Sequence, residues 1–287
     1  MKIGRELRHD HATAMARDDL LQRGRHLRLP AGPPQATRVR GVAQEDIDAL
    51  VADPRVGPEV QRCQRPVGTQ GLGDRLRHMV YASSSSVYGG NTDLPFAVED
   101  QVDNPVSLYA ATKKSDELMS NAYAVTFGIP LTGLRFFTVY GPWGRPDMAI
   151  WKFTSAILEG RPIDLYNHGD MSRDFTFIDD VAEAVTTILA RPPADDSEEK
   201  PGGSIAPHAI YNLGNNRPER LSHLIDLIES ACGREAEKIL LPMQPGDVPA
   251  TYANIDATAR DHDYRPTTPL AEGIPEFVNW YRSYKHL

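Results

Sequence analysis

From His78 to the carboxyl terminus, short apolar runs alternate with longer segments of helical periodicity. The runs "HMVYASS" and "LTGLRFFT" are rich in β-branched and aromatic residues and are typical of buried strands. A helix is predicted between them in "NPVSLYAATKKSDELMSNAYAVTFG", with Ser107 as its N-cap and Gly128 at its end. Strands that alternate with helices predict an α/β fold with a largely parallel sheet.

The alternation continues to the end of the chain. Further helices are predicted in "DMAIWKFTSAILEG", "DDVAEAVTTILA", "RLSHLIDLIESAC" and "PLAEGIPEFVNWYRSYK", and further strands in "AIYNLG" and "EKILL". Segment 163–178 predicts a β-hairpin that turns at His168, Gly169 and Asp170. The polar segment 191–208 predicts a surface loop.

Residues 1–77 do not share this pattern. They contain no Phe, Trp, Tyr or Asn, their basic residues are Arg apart from Lys2 and three His, and they sustain no apolar period. We therefore expect this segment to offer little to a packed core. The chain divides here into residues 1–77 and residues 78–287.

Charge and cysteine content exclude several classes of function. The net charge of −8 argues against nucleic acid or an anionic membrane as the main partner. Cys63 and Cys232 are the only cysteines, so neither a disulfide framework nor a cysteine metal pair is expected. No apolar run has the length of a membrane helix, and the first residues lack the apolar stretch of a signal peptide. These features predict a cytoplasmic protein without a bound metal.

The stretch "SLYAATKK" places Tyr109 and Lys113 on one helical face, because residues four apart lie one above the other. A tyrosine hydroxyl is a poor base at neutral pH, and a nearby cation favours its phenolate form. The first strand ends in four serines, Ser83 to Ser86. Ligands of open parallel sheets lie beyond the carboxyl ends of the strands, so these hydroxyls are candidates to hold a substrate oxygen near the phenolate. The alternative is an exposed pair on a helix surface with no function.

Five motifs together resemble the extended short-chain dehydrogenase/reductases, and among them the UDP-glucuronate 4-epimerases. They occur in order and with natural spacing as "YASSSSVYGG", "PVSLYAATKK", "LRFFTVYGPWGRPDMA", "RDFTFIDD" and "QPGDVPATYAN". The resemblance runs from about His78 to the carboxyl terminus. It implies a Rossmann-like doubly wound parallel sheet, incomplete in its N-terminal part, with a smaller α/β substrate-binding lobe at roughly 141–175 and 205–287.

The resemblance also implies a role for each residue of the catalytic set. Tyr109 would be the base, Lys113 would activate it and bind the nicotinamide ribose of NAD, and Ser84 would bond the reacting sugar oxygen. Ser85 and Ser86 would line the sugar pocket. In the implied reaction the sugar 4-hydroxyl loses its proton while the C4 hydride moves to NAD. The 4-keto sugar then turns over and receives the hydride on its other face.

Four further residues are implied to bind the substrate. Arg145 would grip the sugar carboxylate, which a guanidinium fork suits, and Arg173 would pair with the UDP diphosphate. Asp247 would bond the nucleotide ribose, and Thr138 would contact the substrate at a strand end. An ordinary surface arginine is the alternative interpretation of Arg145.

Relatives with other activities differ from this chain at a few positions. Galactose-type epimerases carry Asn at the position of Thr138 and lack the "GPWGRPDM" loop, and the dehydratases and decarboxylases carry an acid where this chain has Ser86. The resemblance therefore implies an NAD-dependent UDP-glucuronate 4-epimerase that supplies polysaccharide precursors. Another UDP-hexose epimerase is the alternative within the same class. Family members usually form homodimers through the helix that carries Tyr109, and we expect any dimer there.

The glycine-rich turn of the family is missing from the sequence. No G-x-x-G-x-x-G occurs, and the nearest cluster, "GTQGLG" at 68–73, has neither a strand before it nor a helix after it. We hypothesise that residues 4 to about 77 are an out-of-frame or deleted translation of DNA rich in G and C, since Arg, Ala, Gly and Pro have such codons. On that hypothesis the chain is a non-catalytic remnant that keeps partial UDP-sugar binding and does not bind NAD. A genuine but divergent N-terminus is the competing interpretation.

Overall fold

The computed structural model describes residues 76–244 and 248–287, and nearly all of segment 1–77 lies outside this part. Its strands are β1 Met79–Ser84, β2 Leu131–Phe136, β3 Thr138–Tyr140, β4 Ile163–Leu165, β5 Ser172–Phe177, β6 His208–Leu213, β7 Pro218–Arg220, β8 Lys238–Leu240 and β9 Ala250–Thr251. Its helices are α1 Leu108–Phe127, α2 Ala149–Glu159, α3 Ile178–Ala190, α4 Leu221–Cys232, α5 Asp256–His262 and α6 Leu270–Lys285.

The first sheet has the strand order β1-β2-β6, and both of its ladders are parallel. The middle strand β2 and its neighbour β6 are buried along almost their whole length, whereas β1 is only partly covered. The prediction of an α/β fold with a parallel sheet is confirmed. Loop 191–207, between α3 and β6, contains neither helix nor strand, as predicted.

The predicted hairpin at 163–178 is wrong. Strand β4 pairs in parallel with β8, and β5 pairs with β3, β7 and β9. The segment between β4 and β5 is a short 3₁₀ turn in which Asn167 and His168 both have positive φ, at 50° and 54°. The chain leaves one sheet and enters another there, because strands distant in sequence supply the hydrogen bonds of β4 and β5.

Two main groups of apolar side chains form the core of the described part. One lies among α2, α4, α6 and β5 and includes Ile157, Leu224 and Phe277. The other lies between the first sheet and α3 and includes Leu134 and Ile188. The smaller lobe expected at roughly 141–175 and 205–287 stays a prediction.

Helix α1 begins and ends where its caps predict. The Ser107 hydroxyl accepts a hydrogen bond from the Ala110 N–H at 3.1 Å, and Gly128 ends the helix in the left-handed conformation with φ 63°. Three residues at a spacing of seven are buried, namely Ala110, Glu117 and Ala124. The helix therefore rests on the first sheet along a narrow seam whose central residue is a carboxylate.

Glu117 is paired with Arg135, the last residue but one of β2, and both side chains are 2% exposed. The guanidinium binds both carboxylate oxygens, with Nε to Oε1 at 2.8 Å and Nη2 to Oε2 at 3.0 Å. Arg135 Nη1 also donates to the Tyr88 hydroxyl at 3.1 Å, and the Ser83 hydroxyl donates to Glu117 at 2.6 Å. One buried pair thus connects α1, the end of β1 and the turn that follows it.

The charges of this pair are compensated locally. Burial by itself would raise the pKa of Glu117, but the hydrogen bonds and charge of Arg135, together with the bond from Ser83, hold that pKa below its ordinary value. Burial also raises the pKa of Tyr88 to about 12, so Tyr88 keeps its proton and donates it to the Asn212 side chain at 2.7 Å. The network therefore contains a carboxylate, a guanidinium and a neutral phenol.

We expect Glu117→Gln to lower the free energy of unfolding by about 3 kcal/mol at pH 7, because it leaves the Arg135 charge buried without its counter-ion. Since the folded-state pKa of Glu117 lies below its ordinary value of 4.5, the stabilisation is complete above that pH. It is lost as the pH falls further through the folded-state pKa. Urea unfolding at pH 7 and near pH 3.5 should show the gap between wild type and variant narrowing in acid.

The exposed pair of Arg161 and Glu159 provides the control, since it is joined by the same kind of ion pair on the surface. Glu159→Gln should change the unfolding midpoint little at either pH. Equal effects of the two substitutions on the free energy of unfolding would show that the buried pair stabilises the fold no more than the exposed pair.

Candidate active site

The four serines after β1 have different partners, so they are not equivalent. Ser83 is buried and donates to Glu117, and therefore belongs to the structural network. Ser84 accepts from both the N–H and the hydroxyl of Ser86, at 3.2 and 2.9 Å, and caps the short 3₁₀ turn Ser85–Tyr88. Because the Ser84 oxygen accepts both of these bonds, its own proton remains for donation to a ligand.

Lys113 lies at the carboxyl end of β1, where its ammonium donates to the Ala82 carbonyl at 3.1 Å. It also forms an ion pair with Asp116 at 3.1 Å, and it is largely covered, with 17% of its side chain exposed. Tyr109 lies one turn earlier in α1 and is 52% exposed. Helix α1 packs against both β1 and the serine turn, so the structure brings the elements that carry Tyr109, Lys113 and Ser84 together.

The fit to NAD differs between the two ends of the cofactor. At the nicotinamide end, a lysine ammonium stands at the carboxyl edge of a parallel sheet, which is where such sheets bind nucleotides, and a half-exposed tyrosine lies one helical turn before it. At the pyrophosphate end, the sequence has no G-x-x-G-x-x-G to bring backbone N–H groups close. The described residues therefore fit the nicotinamide ribose and do not supply the pyrophosphate cradle.

A second part of the site is a cavity of about 450 Å³ beside β3 and α2. Thr138, Arg145 and Arg173, each expected from the sequence to bind the substrate, all line it. Its other walls are mostly apolar and include Trp151 and Phe277. A mostly apolar cleft with a few placed charges is the usual form of a small-molecule site.

The two arginines of the cavity have different surroundings. Arg145 has 72% of its side chain exposed, pairs with Asp147 at 3.2 Å and touches the Met148 sulfur at 3.4 Å. Arg173 is held by backbone carbonyls, donating to Ser172 at 2.9 Å and to Pro249 at 3.2 Å. Arg145 therefore lies at the mouth on its own loop, whereas Arg173 is anchored to the strands.

Asp174, next to Arg173, is a residue that the sequence patterns did not single out. Its fully buried carboxylate accepts backbone N–H groups from Asn215 at 2.5 Å, Asn216 at 3.0 Å and Ala253 at 2.9 Å. Burial raises the pKa of Asp174, while these three bonds act in the opposite direction. The carboxylate joins β5 to the segment after β6 and to Ala253. No local pattern reports such partners, because they are 41 or more residues away.

Several sequence-predicted residues stand apart from this cavity. Among the described residues its lining does not include Tyr109, Lys113 or the three serines Ser84, Ser85 and Ser86. Thr138 connects the two parts, since it follows β2, whose last residue lies opposite Ser84 in the sheet. Asp247 lies outside the described residues, so its expected ribose contact stays a prediction.

Comparison with known proteins adds family membership to this geometry. The NAD dependent epimerase/dehydratase family matches residues 70–214, about half of the chain. Protein CapI of Staphylococcus aureus is 52% identical over 214 residues, which are 73% of this chain and 64% of CapI. A probable UDP-glucuronate 4-epimerase of Rhizobium meliloti is 46% identical over 71% of this chain and 62% of its own length.

The chain thus spans less than two thirds of the length of these curated relatives. Among solved structures, it is similar to the UDP-glucuronic acid 4-epimerase of Bacillus cereus in complex with UDP-glucuronic acid and NAD, with a TM-score of 0.63 and 30% identity. That similarity covers 75% of this chain and 66% of the Bacillus chain. This chain belongs to the NAD-dependent epimerase/dehydratase family.

Proposed function

We propose that this protein is an NAD-dependent nucleotide-sugar 4-epimerase that interconverts UDP-glucuronate and UDP-galacturonate through a 4-keto intermediate. The observation that carries the proposal is the cavity that Arg145 and Arg173 line together with Thr138. Two separate guanidinium groups suit a ligand with two separate anionic groups, a diphosphate and a carboxylate. The names of the relatives support the same substrate class.

In this mechanism the residues of α1 and β1 handle the proton of the sugar. Tyr109 accepts the proton of the C4 hydroxyl, and the positive charge of Lys113 stabilises the phenolate that accepts it. The Ser84 hydroxyl donates to the same sugar oxygen, because the two bonds from Ser86 leave its proton directed elsewhere. When bound, NAD supplies the acceptor and donor of the C4 hydride.

The substrate-binding residues hold the groups of the ligand that do not react. Arg173, fixed by the carbonyls of Ser172 and Pro249, binds the diphosphate. Arg145 exchanges its exposed partner Asp147 for the sugar carboxylate at the mouth of the cavity. The diphosphate stays bound while the 4-keto ring turns over, so that either face of C4 can receive the hydride.

A non-catalytic UDP-sugar-binding protein is the second candidate function. The observation that favours it is the absence of G-x-x-G-x-x-G from the sequence, since those glycines admit the pyrophosphate of the cofactor. Such a protein would keep the cavity of Arg145 and Arg173 and would not use Tyr109.

Measurement of NAD separates the two candidates. We expect the purified chain to release NAD on denaturation, to bind UDP in calorimetry and to convert UDP-glucuronate to UDP-galacturonate. Tyr109→Phe should retain UDP binding and lose at least about a hundredfold in turnover, the usual contribution of a general base. UDP binding without NAD and without turnover would instead establish the non-catalytic protein.

Arg145→Ala tests the choice of substrate. Loss of one charge-assisted contact of about 1.5–3 kcal/mol should weaken UDP-glucuronate binding roughly ten- to a hundredfold, while UDP-glucose binding changes little. Arg161→Ala is the matched control, because Arg161 is also an exposed arginine paired with an acid two residues away and does not line the cavity. Equal losses for both sugars would favour another UDP-hexose epimerase.

We also propose that two copies of the chain pair through α1. The surface of this helix carries exposed apolar side chains, which are Leu108, Leu118, Met119, Tyr123 and Val125. Such residues on a helix that buries only a narrow seam are typical of an interface. The cytoplasmic location expected from the sequence stays a prediction.

Leu118→Glu should convert a dimer into a monomer in sedimentation velocity, because it places a charge at the centre of the proposed interface. Leu189→Glu, an equally simple change of an exposed leucine on α3, should leave the dimer intact. A monomeric wild-type protein, or a dimer that survives Leu118→Glu, would contradict pairing through α1.

A further inference from the structure

The loop that carries Arg145 begins with a tight turn. The Gly144 N–H donates to the Gly141 carbonyl at 3.1 Å, so Gly141, Pro142, Trp143 and Gly144 form a four-residue turn. Trp143, its third residue, has a φ of 65°. Turns with proline second and positive φ third usually carry Gly or Asn at the third position. A tryptophan there has a steric cost that some other contact must offset.

The turn has one side toward the cavity and one side away from it. Gly141, Gly144 and Arg145 line the cavity, whereas Trp143 does not. The Trp143 ring instead contacts two aromatic rings of α6, with its centroid 5.5 Å from Trp280 and 5.9 Å from Tyr284. Its outer surface is open to solvent, since the residue is 77% exposed.

The rings that receive Trp143 are themselves connected to the cavity wall. Trp280 and Tyr284 stack on each other with centroids 5.2 Å apart, and both contact Trp151 of α2, at 5.7 and 6.0 Å. Trp151 lines the cavity and also contacts Phe277, which does the same. We call Trp143, Trp151, Trp280 and Tyr284 the aromatic clasp. It contains all three tryptophans of the chain.

We infer that the aromatic clasp is a specificity-determining device, in which Trp143 positions the loop of Arg145 at the mouth of the cavity. The inference rests on the proposed function, since it concerns the arginine that grips a carboxylate. Arg145 is itself mostly exposed and is held by Asp147 of its own loop, so that ion pair does not anchor it to the rest of the protein. The ring of Trp143, two residues earlier, supplies a contact between this loop and α6. A guanidinium fork distinguishes a carboxylate from a hydroxymethyl group only when its direction is fixed.

The test compares the affinities of UDP-glucuronate, UDP-glucose and UDP for variants of Trp143. In calorimetry, Trp143→Ala and Trp143→Gly should each lower the preference for UDP-glucuronate over UDP-glucose by at least about fivefold. Binding of UDP alone should change less than about twofold, because Arg173 is anchored independently of this loop. Trp143→Phe, which keeps an aromatic ring against α6, should retain most of the preference. Trp143→Gly matters because glycine tolerates the positive φ, so it removes the ring and relieves the backbone together.

Each other outcome has a definite meaning. If Trp143→Ala and Trp143→Gly keep the preference for UDP-glucuronate while Arg145→Ala loses it, the inference about the clasp is wrong and the proposed function stands. If Trp143→Gly keeps the preference and Trp143→Ala loses it, backbone strain rather than ring contact determines the preference. The inference about the clasp is then also wrong. An equal loss for all three ligands would indicate a general structural defect and would also count against it. If the wild-type protein does not prefer UDP-glucuronate and Arg145→Ala leaves both sugar affinities unchanged, the assignment of a uronate substrate and the inference about the clasp are both wrong.

Tryptophan fluorescence gives a second measurement that does not depend on affinity. Because all three tryptophans belong to the clasp, saturation with UDP-glucuronate should alter the emission of the wild-type chain. The change should be smaller with UDP, which does not reach Arg145. Identical spectral changes with the two ligands would contradict a clasp that responds to the carboxylate.

Discussion

The buried ion pair of Arg135 and Glu117 is the constraint on which the described structure depends. Two opposite charges at 2% exposure are tolerable only when their geometry is good and their remaining hydrogen-bonding groups are satisfied. Here two hydrogen bonds join the guanidinium to the carboxylate. The Ser83 hydroxyl donates to Glu117, and the Tyr88 hydroxyl accepts from Arg135. A shift of α1 along the sheet would break several of these bonds at once. The pair therefore permits one arrangement of helix, strand and serine turn.

This arrangement explains how the site residues of α1 reach the strand end. Glu117 lies one helical turn after Lys113, so the bond to Arg135 in β2 places the Lys113 ammonium beside the Ala82 carbonyl. Ser83 is used by the network, and Ser84, the next residue, is left for a ligand. Neighbouring serines at the end of β1 thus have different roles, one in the buried network and one in the proposed site.

The proposed substrate cavity is held by a different set of interactions. Asp174 joins β5 to the segment after β6 and to Ala253 through backbone N–H groups, and the aromatic clasp connects the loop of Arg145 to α6. Thr138 begins β3, two residues after the end of β2. The two arginines of the cavity are therefore supported independently, Arg173 by backbone carbonyls beside the buried Asp174 and Arg145 by the aromatic packing of its loop.

The sequence by itself determined the features that depend on neighbours within about seven residues. Apolar periodicity located β1, β2, β6 and the long helices, and Ser107 and Gly128 marked the ends of α1. The motifs singled out Tyr109, Lys113 and the arginines as chemically useful. What only the tertiary structure decided is which distant groups share a hydrogen bond or a cavity. Packing between segments far apart in the chain determines the partners of β4 and β5 and the burial of Arg135. It also places Arg145 and Arg173 in the lining of one cavity. A local pattern contains no record of such partners, because the free energy that selects them comes from burial and pairing across the whole fold.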